Sequence, residues 1–456
     1  MADDLLAAVA ARITDYHRGL SERPVRARAG VDELRSLLGG PTPDRPAEPA
    51  EVIATLADAM DAGGVATAGP RYFGFVTGGA LPGTVAADWL ATGTDINAAV
   101  YVMSPVAAVA EDVALTWITD MLGLPAGVSA GFVTGATMAN FTGLAAARHH
   151  VLAKAGWDVE RDGLQGAPRV HVVVGEERHA TVDAALRYLG LGDASAHVVP
   201  ADEQGRMRAD LLLDVLARCA GPTIVCAQAG NVNTGAVDPI ATICELAHAH
   251  DAWVHVDGAF GLWAAASTAL RPLVAGLGSA DSWATDAHKW LNVPYDSGLA
   301  FVAHPEAHRA AMRKTAGYFP DERPGERDSD AFVPESSRRA RGFAVWAALR
   351  TLGRPGVAEL VDRCCALARR FALALDEMPG VQVLNDVVLN QVLVRFGDSD
   401  EVTQRVIAAA QDEGTCWFGA TVWKGMAAAR ISVSNWSTTE DDVDRSIESI
   451  LRAASS

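Results

Sequence analysis

The chain has 456 residues, of which 50% are hydrophobic and 21% charged, and its formal net charge is −18. A chain of this length is expected to form a large and a smaller domain. Its negative field repels nucleic-acid phosphates and acidic membrane surfaces, so we expect a small-molecule partner and neither nucleic acid nor membrane. No uncharged run is long enough to span a membrane.

The six cysteines show no CxxC pair. The amino-terminal residues MADDLLAAVAARITDYHRG lack the basic-then-apolar order of a signal peptide. We therefore expect a cytoplasmic protein whose cysteines are reduced thiols.

The first 60 residues predict a helical arm. An amphipathic helix comes first, a proline-rich connector runs from Gly40 to Pro49, and another short helix follows. We expect residues 1–60 to pack on another part of the molecule or on a second subunit; a disordered tail is the alternative.

Residues 61–312 predict a large α/β domain. From about residue 100 to residue 303, short β-rich runs alternate with helical patterns. The predicted strands are 170–174, 197–200, 223–227, 253–257, 282–285 and 298–302. The predicted helices are 138–154, 181–189, 207–219 and 240–250. This alternation indicates a mostly parallel sheet with helices on both faces.

The character of the chain changes at about Lys314. The segment that ends at Glu335 is rich in proline, glycine and charge and has no hydrophobic period, so residues 313–337 predict a mobile loop. Residues 338–456 predict a smaller carboxy-terminal α+β domain with a helix pair, further strands and a closing helix. This domain begins with three arginines, Arg338, Arg339 and Arg341. Two roles stay open for them: contact with an acidic substrate, or ion pairs on the lid or the surface.

The motif DAHKWLNVPYDSG, residues 286–298, places Lys289 between a histidine and a tryptophan just after a predicted strand. A lysine amine becomes nucleophilic when its surroundings lower its pKa, so Lys289 is a candidate Schiff-base lysine. A surface lysine lying over Trp290 is the alternative, and this motif alone does not decide between them.

The motif AWVHVDGAFGLW, residues 252–263, ends a predicted strand at Asp257. A buried carboxylate needs a cationic partner, and a protonated pyridine nitrogen would be one. An aspartate that caps the next helix is the alternative. Lys289 follows Asp257 by 32 residues, which is room for one helix and one strand. The two side chains could therefore reach one cofactor from neighbouring strands.

Two further motifs carry weaker signals. GFVTGATMANFTG, residues 131–143, predicts a helix start at which Ala136 and Thr137 would meet an anion, although many helices begin in this way. His179 follows the predicted strand that ends at residue 174 and could stack on a flat ring or be an ordinary turn residue. The histidine pairs lack spaced ligands, so no metal site is predicted. No GxSxG elbow supports a serine hydrolase.

In this order the motifs resemble the group II pyridoxal-phosphate decarboxylases. That family includes the glutamate and aromatic amino acid decarboxylases and has the fold-type-I architecture of aspartate aminotransferase. The resemblance runs from PRYFGFVTGG (70–79) to RISVSNW (430–436). It implies pyridoxal 5′-phosphate (PLP) as the cofactor and an amino acid as the substrate. It also implies a homodimer with the active site at the subunit interface, over which the arm would swap.

The resemblance implies a role at the cofactor for each matching residue. Lys289 would hold PLP as a Schiff base, Asp257 would pair with the pyridine nitrogen, and His179 would stack on the ring. Gln228 would lie on the side of the ring hydroxyl. Four residues would lie at the phosphate: Ala136, Thr137, Asp286 and His288. Asp286 stands where many relatives have an asparagine.

Substrate contacts follow from the same resemblance. Phe75 would reach the substrate, and Arg430 lies in the carboxy-terminal strand where fold-type-I enzymes often bind substrate through an arginine. Asn97 and Ala99 would reach the partner subunit's pocket. Tyr318 is the remaining candidate at the substrate.

One departure concerns the predicted mobile loop. In the decarboxylases a loop tyrosine protonates the carbanion that remains after carbon dioxide leaves. Here the loop contains only Tyr318, and counting back from RRARGFAVW (338–346) places the expected tyrosine at Ser329. Relatives without this tyrosine can react with oxygen and yield an aldehyde. We expect an amino acid decarboxylase; an oxygen-using aldehyde synthase, an aminotransferase or aldolase, and a non-catalytic relative are the alternatives.

Overall fold

Three helices form the amino-terminal arm of the computed structural model, which describes residues 2–317 and 323–455. They are α1 (Ala2–Arg18), α2 (Val31–Leu38) and α3 (Pro49–Gly63). Pro49 occupies the first turn of α3, where the fixed φ angle of proline suits a helix. The sequence predicted α1 and α3 but not α2. The two turns of α2 are too short for their apolar period to stand out beside the proline-rich connector.

A seven-stranded sheet forms the centre of the large domain. Its strands are β1 (Ser129–Val133), β2 (His171–Gly175), β3 (His197–Val199), β4 (Thr223–Gln228), β5 (Trp253–Asp257), β6 (Ser282–Asp286) and β7 (Gly298–Val302). Their order is β1-β7-β6-β5-β4-β2-β3. Strand β7 runs antiparallel to both neighbours, and the other pairs are parallel. The predicted mostly parallel sheet is confirmed, with β1 as an unpredicted seventh strand.

The large domain also contains the helices α4 (Pro82–Gly93), α5 (Pro105–Leu122), α6 (Ala136–Lys154), α7 (Val159–Asp162), α8 (Ala180–Tyr188), α9 (Ala209–Leu216), α10 (Ile240–Ala249) and α11 (Pro305–Met312). Helices α5, α6, α9 and α10 pack on the strands of the sheet. Strands β5, β6 and β7 are buried along their whole length, as expected for a sheet with both faces covered.

The carboxyl ends of the central strands meet at one edge of the sheet. Gln228 at the end of β4 pairs in register with Asp257 at the end of β5, and Asp257 pairs with Ala284 of β6. Strand β1 also runs parallel to β6, because each is antiparallel to β7. Helix α6 begins three residues after β1 and therefore starts at this same edge. Open α/β sheets bind their ligands at such an edge.

The smaller carboxy-terminal part combines three helices with a four-stranded antiparallel sheet. The helices are α12 (Gly342–Asp376), α13 (Asp400–Glu413) and α14 (Glu440–Ser455). The strands are β8 (Val381–Val383), β9 (Gln391–Phe396), β10 (Gly419–Trp423) and β11 (Met426–Ser432), in the order β10-β11-β9-β8. Helix α12 is broken at Gly353, whose φ is 60°, just before Pro355. The break produces the predicted helix pair, since proline cannot continue a helix from within.

Buried ion pairs attach the end of the 313–337 segment to the large domain. Arg338 lies 2.8 Å from Glu111, and their side chains are 0% and 2% exposed. Arg338 also donates to the carbonyl of Phe132 at 2.9 Å, and Arg327 reaches the other oxygen of Glu111 at 3.2 Å. A surface role for Arg338 was therefore wrong. Arg341 is also buried and pairs with Asp296 at 2.7 Å. The mobility of 313–337 stays a prediction.

We expect Arg338→Met to destabilise the fold by about 3 kcal/mol, because breaking a buried pair leaves the charge of Glu111 undercompensated. Arg339→Met is the matched control. Arg339 pairs with Asp88 at a partly exposed site, where such pairs contribute at most about 1 kcal/mol. Urea denaturation measures both variants. Equal denaturation midpoints for the two would contradict a stabilising role for the buried pair.

Candidate active site

Asp257 is the last residue of β5 and is 4% exposed. Its Oδ2 accepts a hydrogen bond from Asn140 Nδ2 at 3.1 Å, and its Oδ1 accepts one from the backbone N–H of Ala259 at 3.2 Å. Within residues 2–317 and 323–455 no lysine or arginine forms an ion pair with this carboxylate. A buried carboxylate with only neutral partners suits a ligand that brings a positive charge.

A chain of hydrogen bonds holds Asn140 in place. Asn140 Oδ1 accepts from His255 Nε2 at 2.9 Å, and His255 Nδ1 accepts from Ser282 Oγ at 2.8 Å. Burial lowers the pKa of His255 to about 4, so the ring is neutral at neutral pH and carries its proton on Nε2. These three residues were not predicted from the sequence. The HVD spacing was a usable signal, because residues two apart on a strand point to the same face.

Lys289 lies in the turn after β6. Its Nζ is 3.0 Å from Asp286 Oδ2, and its side chain is 18% exposed. The other carboxylate oxygen of Asp286 is buried and has no hydrogen-bond partner. Trp290 is fully buried, so a lysine lying over it would not be at the surface. This environment favours a functional lysine over a solvated one.

The start of α6 faces His288 and Asp286. Gly135 precedes the helix, and a Cβ there would lie 3.3 Å from His288 Cε1 and 3.6 Å from Asp286 Oδ1. No side chain caps this helix, so the N–H groups of its first turn, which includes Ala136 and Thr137, are available to an anion. His288 Nδ1 accepts from the N–H of Ser297 at 3.1 Å. Because Nδ1 is the acceptor in this bond, the proton of the ring is on Nε2, and burial lowers the pKa of His288.

His179 is the residue before α8, and its Nδ1 accepts from the N–H of Thr181 at 3.2 Å. Burial is the main cause that lowers its pKa; Lys289 and Arg430 lower it further, while Asp257 opposes the shift. His179 therefore lies within electrostatic range of Lys289, Asp257 and Arg430. The sequence left His179 as either an ordinary turn residue or a partner of the ring. In the structure it caps α8 and lies near the other candidate site residues.

Gln228 ends β4 beside Asp257 and is 9% exposed. Its Oε1 accepts from Asn231 Nδ2 at 3.1 Å, and its backbone N–H donates to Asp238 Oδ2 at 2.7 Å. Burial raises the pKa of Asp238 to about 6. Sequence reasoning missed Asp238, which also accepts from the backbone N–H of Met207 at 2.7 Å. Asp238 therefore links the end of β4 to the loop that contains Met207.

The residues expected at the substrate divide into two groups. Phe75 is 64% exposed, lies in the left-handed region with φ 52°, and stacks on Trp417 with 5.5 Å between ring centroids. Arg430 lies on β11 and donates to the carbonyl of Val232 at 3.2 Å, and burial lowers its pKa. Their contacts with a substrate stay a prediction.

Asn97 and Ala99 contact the end of the 313–337 segment of their own chain. Asn97 Oδ1 accepts from the N–H of Arg338 at 3.1 Å, and the carbonyl of Ala99 accepts from the N–H of Asp330 at 3.0 Å. Their expected place in the partner subunit's pocket stays a prediction. Tyr318 lies outside the described residues.

One cluster of potential metal ligands was not foreseen. His171 and His197 begin β2 and β3, and Cys219 follows α9; their ligand atoms all lie within 4.8 Å of one another. Because they lie at the amino ends of the strands, they are at the edge opposite Asp257. His171 Nδ1 and His197 Nε2 are 3.1 Å apart, so the imidazoles are hydrogen-bond partners, and the thiol donates to Val215 O. Three of its potential ligand atoms are thus already engaged in hydrogen bonds.

A family model described as the pyridoxal-dependent decarboxylase conserved domain matches residues 32–396. The chain belongs to the pyridoxal-dependent decarboxylases. The resemblance to group II decarboxylases, the expected decarboxylase class and the PLP cofactor are thereby confirmed. No helix in the described ranges has both the length and the apolar character to cross a membrane.

Individual relatives agree with this membership. The aromatic-L-amino-acid decarboxylase of Bacillus atrophaeus is 27% identical over 446 residues, covering 94% of this chain and 91% of the relative. The phenylacetaldehyde synthase of Arabidopsis thaliana is 23% identical over 465 residues, covering 97% and 94%. A crystal structure of Oryza sativa TDC with PLP and tryptamine superposes with a TM-score of 0.91 at 23% identity, covering 100% of this chain and 97% of that one. This last likeness confirms the fold.

The residues at the sheet edge fit PLP. The cofactor needs an amine for its aldehyde, an anion partner for its ring nitrogen and donors for its phosphate. Lys289, Asp257 and the uncapped start of α6 would supply these three groups at one edge. Asp286 does not fit this pattern, because its carboxylate places a negative charge beside the phosphate site, where a phosphate needs hydrogen-bond donors.

Proposed function

We propose that this chain decarboxylates an L-amino acid to the corresponding amine, with PLP held covalently by Lys289. The observation that carries the proposal is the meeting of Lys289, Asp257 and the uncapped start of α6 at one sheet edge. Bound PLP supplies an electron sink for the electron pair that carbon dioxide leaves behind. The family supports the reaction class, and its named members differ in substrate, so the amino acid is left general.

Asp257 would keep the ring nitrogen of bound PLP protonated. Asn140 fixes the orientation of the carboxylate by donating to it, and neutral His255 fixes the orientation of Asn140. Because Asp257 has no competing cation in the described chain, its charge is available to the cofactor.

The remaining cofactor contacts follow from position. The N–H groups at Ala136 and Thr137, with His288 Nε2–H, would bind the phosphate. His179, held by its bond from Thr181, would stack on the ring. Gln228 lies at the end of β4, one strand from Asp257, and would approach the ring hydroxyl.

We assign the substrate side to Phe75 and Arg430. Phe75 presents an exposed aromatic face, held by its stack on Trp417. Arg430 is a half-buried cation close enough to His179 to affect its pKa, and it would bind the substrate.

A homodimer with a shared active site is part of the proposal. Helices α4, α5 and α12 expose an apolar groove whose residues include Leu90, Val106, Val109 and Trp346, which are 66%, 60%, 52% and 40% exposed. Contiguous apolar surface of this kind marks an interaction site in soluble proteins. A second copy would cover it and bring Asn97 and Ala99 towards the partner's pocket. We also retain a cytoplasmic location, which the six free cysteines support.

An oxygen-using aldehyde synthase is the second candidate. Ser329, where the loop tyrosine is expected, is 1% exposed within the turn Ser329–Phe332, so no phenol reaches the site from this position. A relative across nearly the whole chain is named a phenylacetaldehyde synthase. Tyr318 or another donor is needed if amine is the product.

A substrate screen tests the proposed reaction. Proteinogenic amino acids and their common relatives are incubated with the holoenzyme while carbon dioxide, amine, aldehyde and oxygen are measured together. We expect carbon dioxide and amine in equal amounts without oxygen uptake. Oxygen uptake with aldehyde and ammonia would favour the second candidate. Keto-acid-dependent turnover without carbon dioxide would contradict both.

Asp286→Asn is expected to tighten PLP binding by about tenfold or more. The change removes a buried charge beside the phosphate cradle and replaces it with an amide that can donate. Two unit charges about 5 Å apart at an effective dielectric constant of about 20 repel by about 3 kcal/mol, and about 1.4 kcal/mol is a tenfold change in affinity. Fluorescence titration of the apo protein with PLP measures the change. Unchanged or weaker binding by the variant would show that Asp286 does not oppose the phosphate.

A further inference from the structure

The proposed reaction needs an acid that reaches the α-carbon of the substrate. In this chain the expected loop position is Ser329, which is buried and carries no acidic proton of use. If the chain carries out the proposed decarboxylation, another side chain must supply this proton.

Tyr295 lies beside the proposed cofactor site. Its ring packs on the ring of His288 with 4.3 Å between centroids and 31° between planes. His288 is the residue before Lys289 and faces the start of α6. The Tyr295 side chain is nevertheless accessible, since the residue is 59% exposed. A phenol is therefore held against the site and open to a ligand.

The hydroxyl of Tyr295 points towards the segment that carries Phe75. Its Oη is 3.5 Å from Thr77 Oγ1, at the limit of a hydrogen bond. That segment packs tightly on the lysine turn, because a Cβ on Gly78 would lie only 1.7 Å from the carbonyl oxygen of Lys289. The phenol thus lies between His288 on the cofactor side and the segment that we assign to the substrate.

The turn that carries Tyr295 is fixed on both sides. Arg341 donates to both carboxylate oxygens of Asp296, at 2.7 and 3.2 Å. The N–H of Ser297 donates to His288 Nδ1 and so ties the turn to the same imidazole on which Tyr295 packs. Such anchoring suits a group that must act at one position.

Other tyrosines of the described chain are less suitable. Tyr72 is buried against Trp417, and burial raises its pKa to about 12, with Tyr295 nearby adding to the rise. Tyr16 lies on α1 of the arm, and Tyr188 ends α8. The backbone of Tyr101 bonds to Asp328 in the 313–337 segment.

We propose that Tyr295 is the proton donor that completes the decarboxylation. Its O–H bond breaks as a C–H bond forms at the α-carbon that has lost carbon dioxide. The phenolate that remains takes a proton from water, which restores the phenol. A positioned acid of this kind typically contributes about 10²- to 10⁴-fold to rate.

Tyr295→Phe tests the proposal, with Tyr72→Phe as the matched control, which also removes one hydroxyl but keeps its ring stack. With the best substrate and without oxygen, Y295F is expected to form amine at least about a hundredfold more slowly, and Y72F within about threefold of wild type. In D₂O the wild type should place deuterium on one face of the α-carbon, whereas Y295F should place it on both faces. PLP titration of apo Y295F should give a dissociation constant within about twofold of wild type.

Wild-type amine formation by Y295F, or a loss confined to Y72F, would overturn the assignment. Stereospecific deuteration by Y295F would also overturn it, as would a large loss of PLP affinity, which indicates a structural role. Each of these outcomes leaves the proposed decarboxylation intact. A wild-type protein that releases no carbon dioxide from any amino acid would instead contradict the proposed function and this inference together.

Discussion

Lys289→Ala is expected to abolish covalent retention of PLP and to lower turnover at least about 10³-fold, because covalent catalysis depends on the one amine at the site. The side chain is mostly buried beside Asp286. Alanine fits the turn that Lys289 occupies, so the variant should fold. Gel filtration followed by absorbance in the visible region reports whether the cofactor is retained, and turnover is measured with the best substrate.

Lys154→Ala is the matched control for Lys289→Ala. Lys154 lies in the last turn of α6 and pairs with Asp251 in solvent, so its loss should change neither cofactor retention nor turnover. Full turnover by K289A would contradict the assignment of Lys289 as the cofactor lysine. A variant that loses its fold by circular dichroism would be replaced by Lys289→Arg, which keeps the charge beside Asp286 and cannot hold the cofactor in the same way.

Asp257→Asn is expected to leave PLP bound while lowering turnover at least about a hundredfold, on the scale of losing a positioned proton partner. A neutral amide cannot hold the ring nitrogen protonated, so the electron sink is weakened. The amide oxygen can accept at only one of the two carboxylate positions, so its NH₂ group faces a donor at the other, either Asn140 Nδ2 or the N–H of Ala259. Turnover and PLP titration of the purified variant separate the two effects.

Asp251→Asn serves as the control for this change, because Asp251 is an exposed carboxylate with a φ of 58° that asparagine tolerates. It should retain wild-type turnover. Turnover by D257N equal to that of D251N would show that Asp257 does not act on the ring nitrogen. Loss of PLP binding by D257N would instead assign Asp257 a role in affinity.

The sequence predicted the parts of the fold that depend on local pattern. Strand β5 begins and ends where its apolar run does, so Asp257 was placed at a strand end, and the motif around Lys289 fell just after the next parallel strand. Parallel neighbours bring such ends to one edge, which is why spacing alone could join the two residues. The uncapped start of α6 followed from its run of small residues.

The parts of the fold and of the site that the sequence did not predict depend on contacts between residues that are far apart in the chain. Strand β1 lies at the edge of the sheet and pairs with β7, which is far along the chain, and its five residues give little periodic signal. Arg338 looked like a surface residue because its partner Glu111 lies 227 positions away. Asn140 joins the Asp257 site from α6, and nothing local marks it as a partner of β5. Tyr295 acquires its place only when the turn folds against His288.

The most direct test of cofactor attachment is peptide mapping after borohydride reduction of the holoenzyme. The chain has only four lysines, at positions 154, 289, 314 and 424, so the assignment is unambiguous. Lys314 donates to the carbonyls of Asp330 and Val333, and Lys154 and Lys424 pair with acidic side chains, so Lys289 is the lysine expected to carry the phosphopyridoxyl group. Its detection on Lys289 alone is the predicted result. Detection on another lysine, or an unmodified Lys289 in cofactor-saturated protein, would contradict the proposed active site.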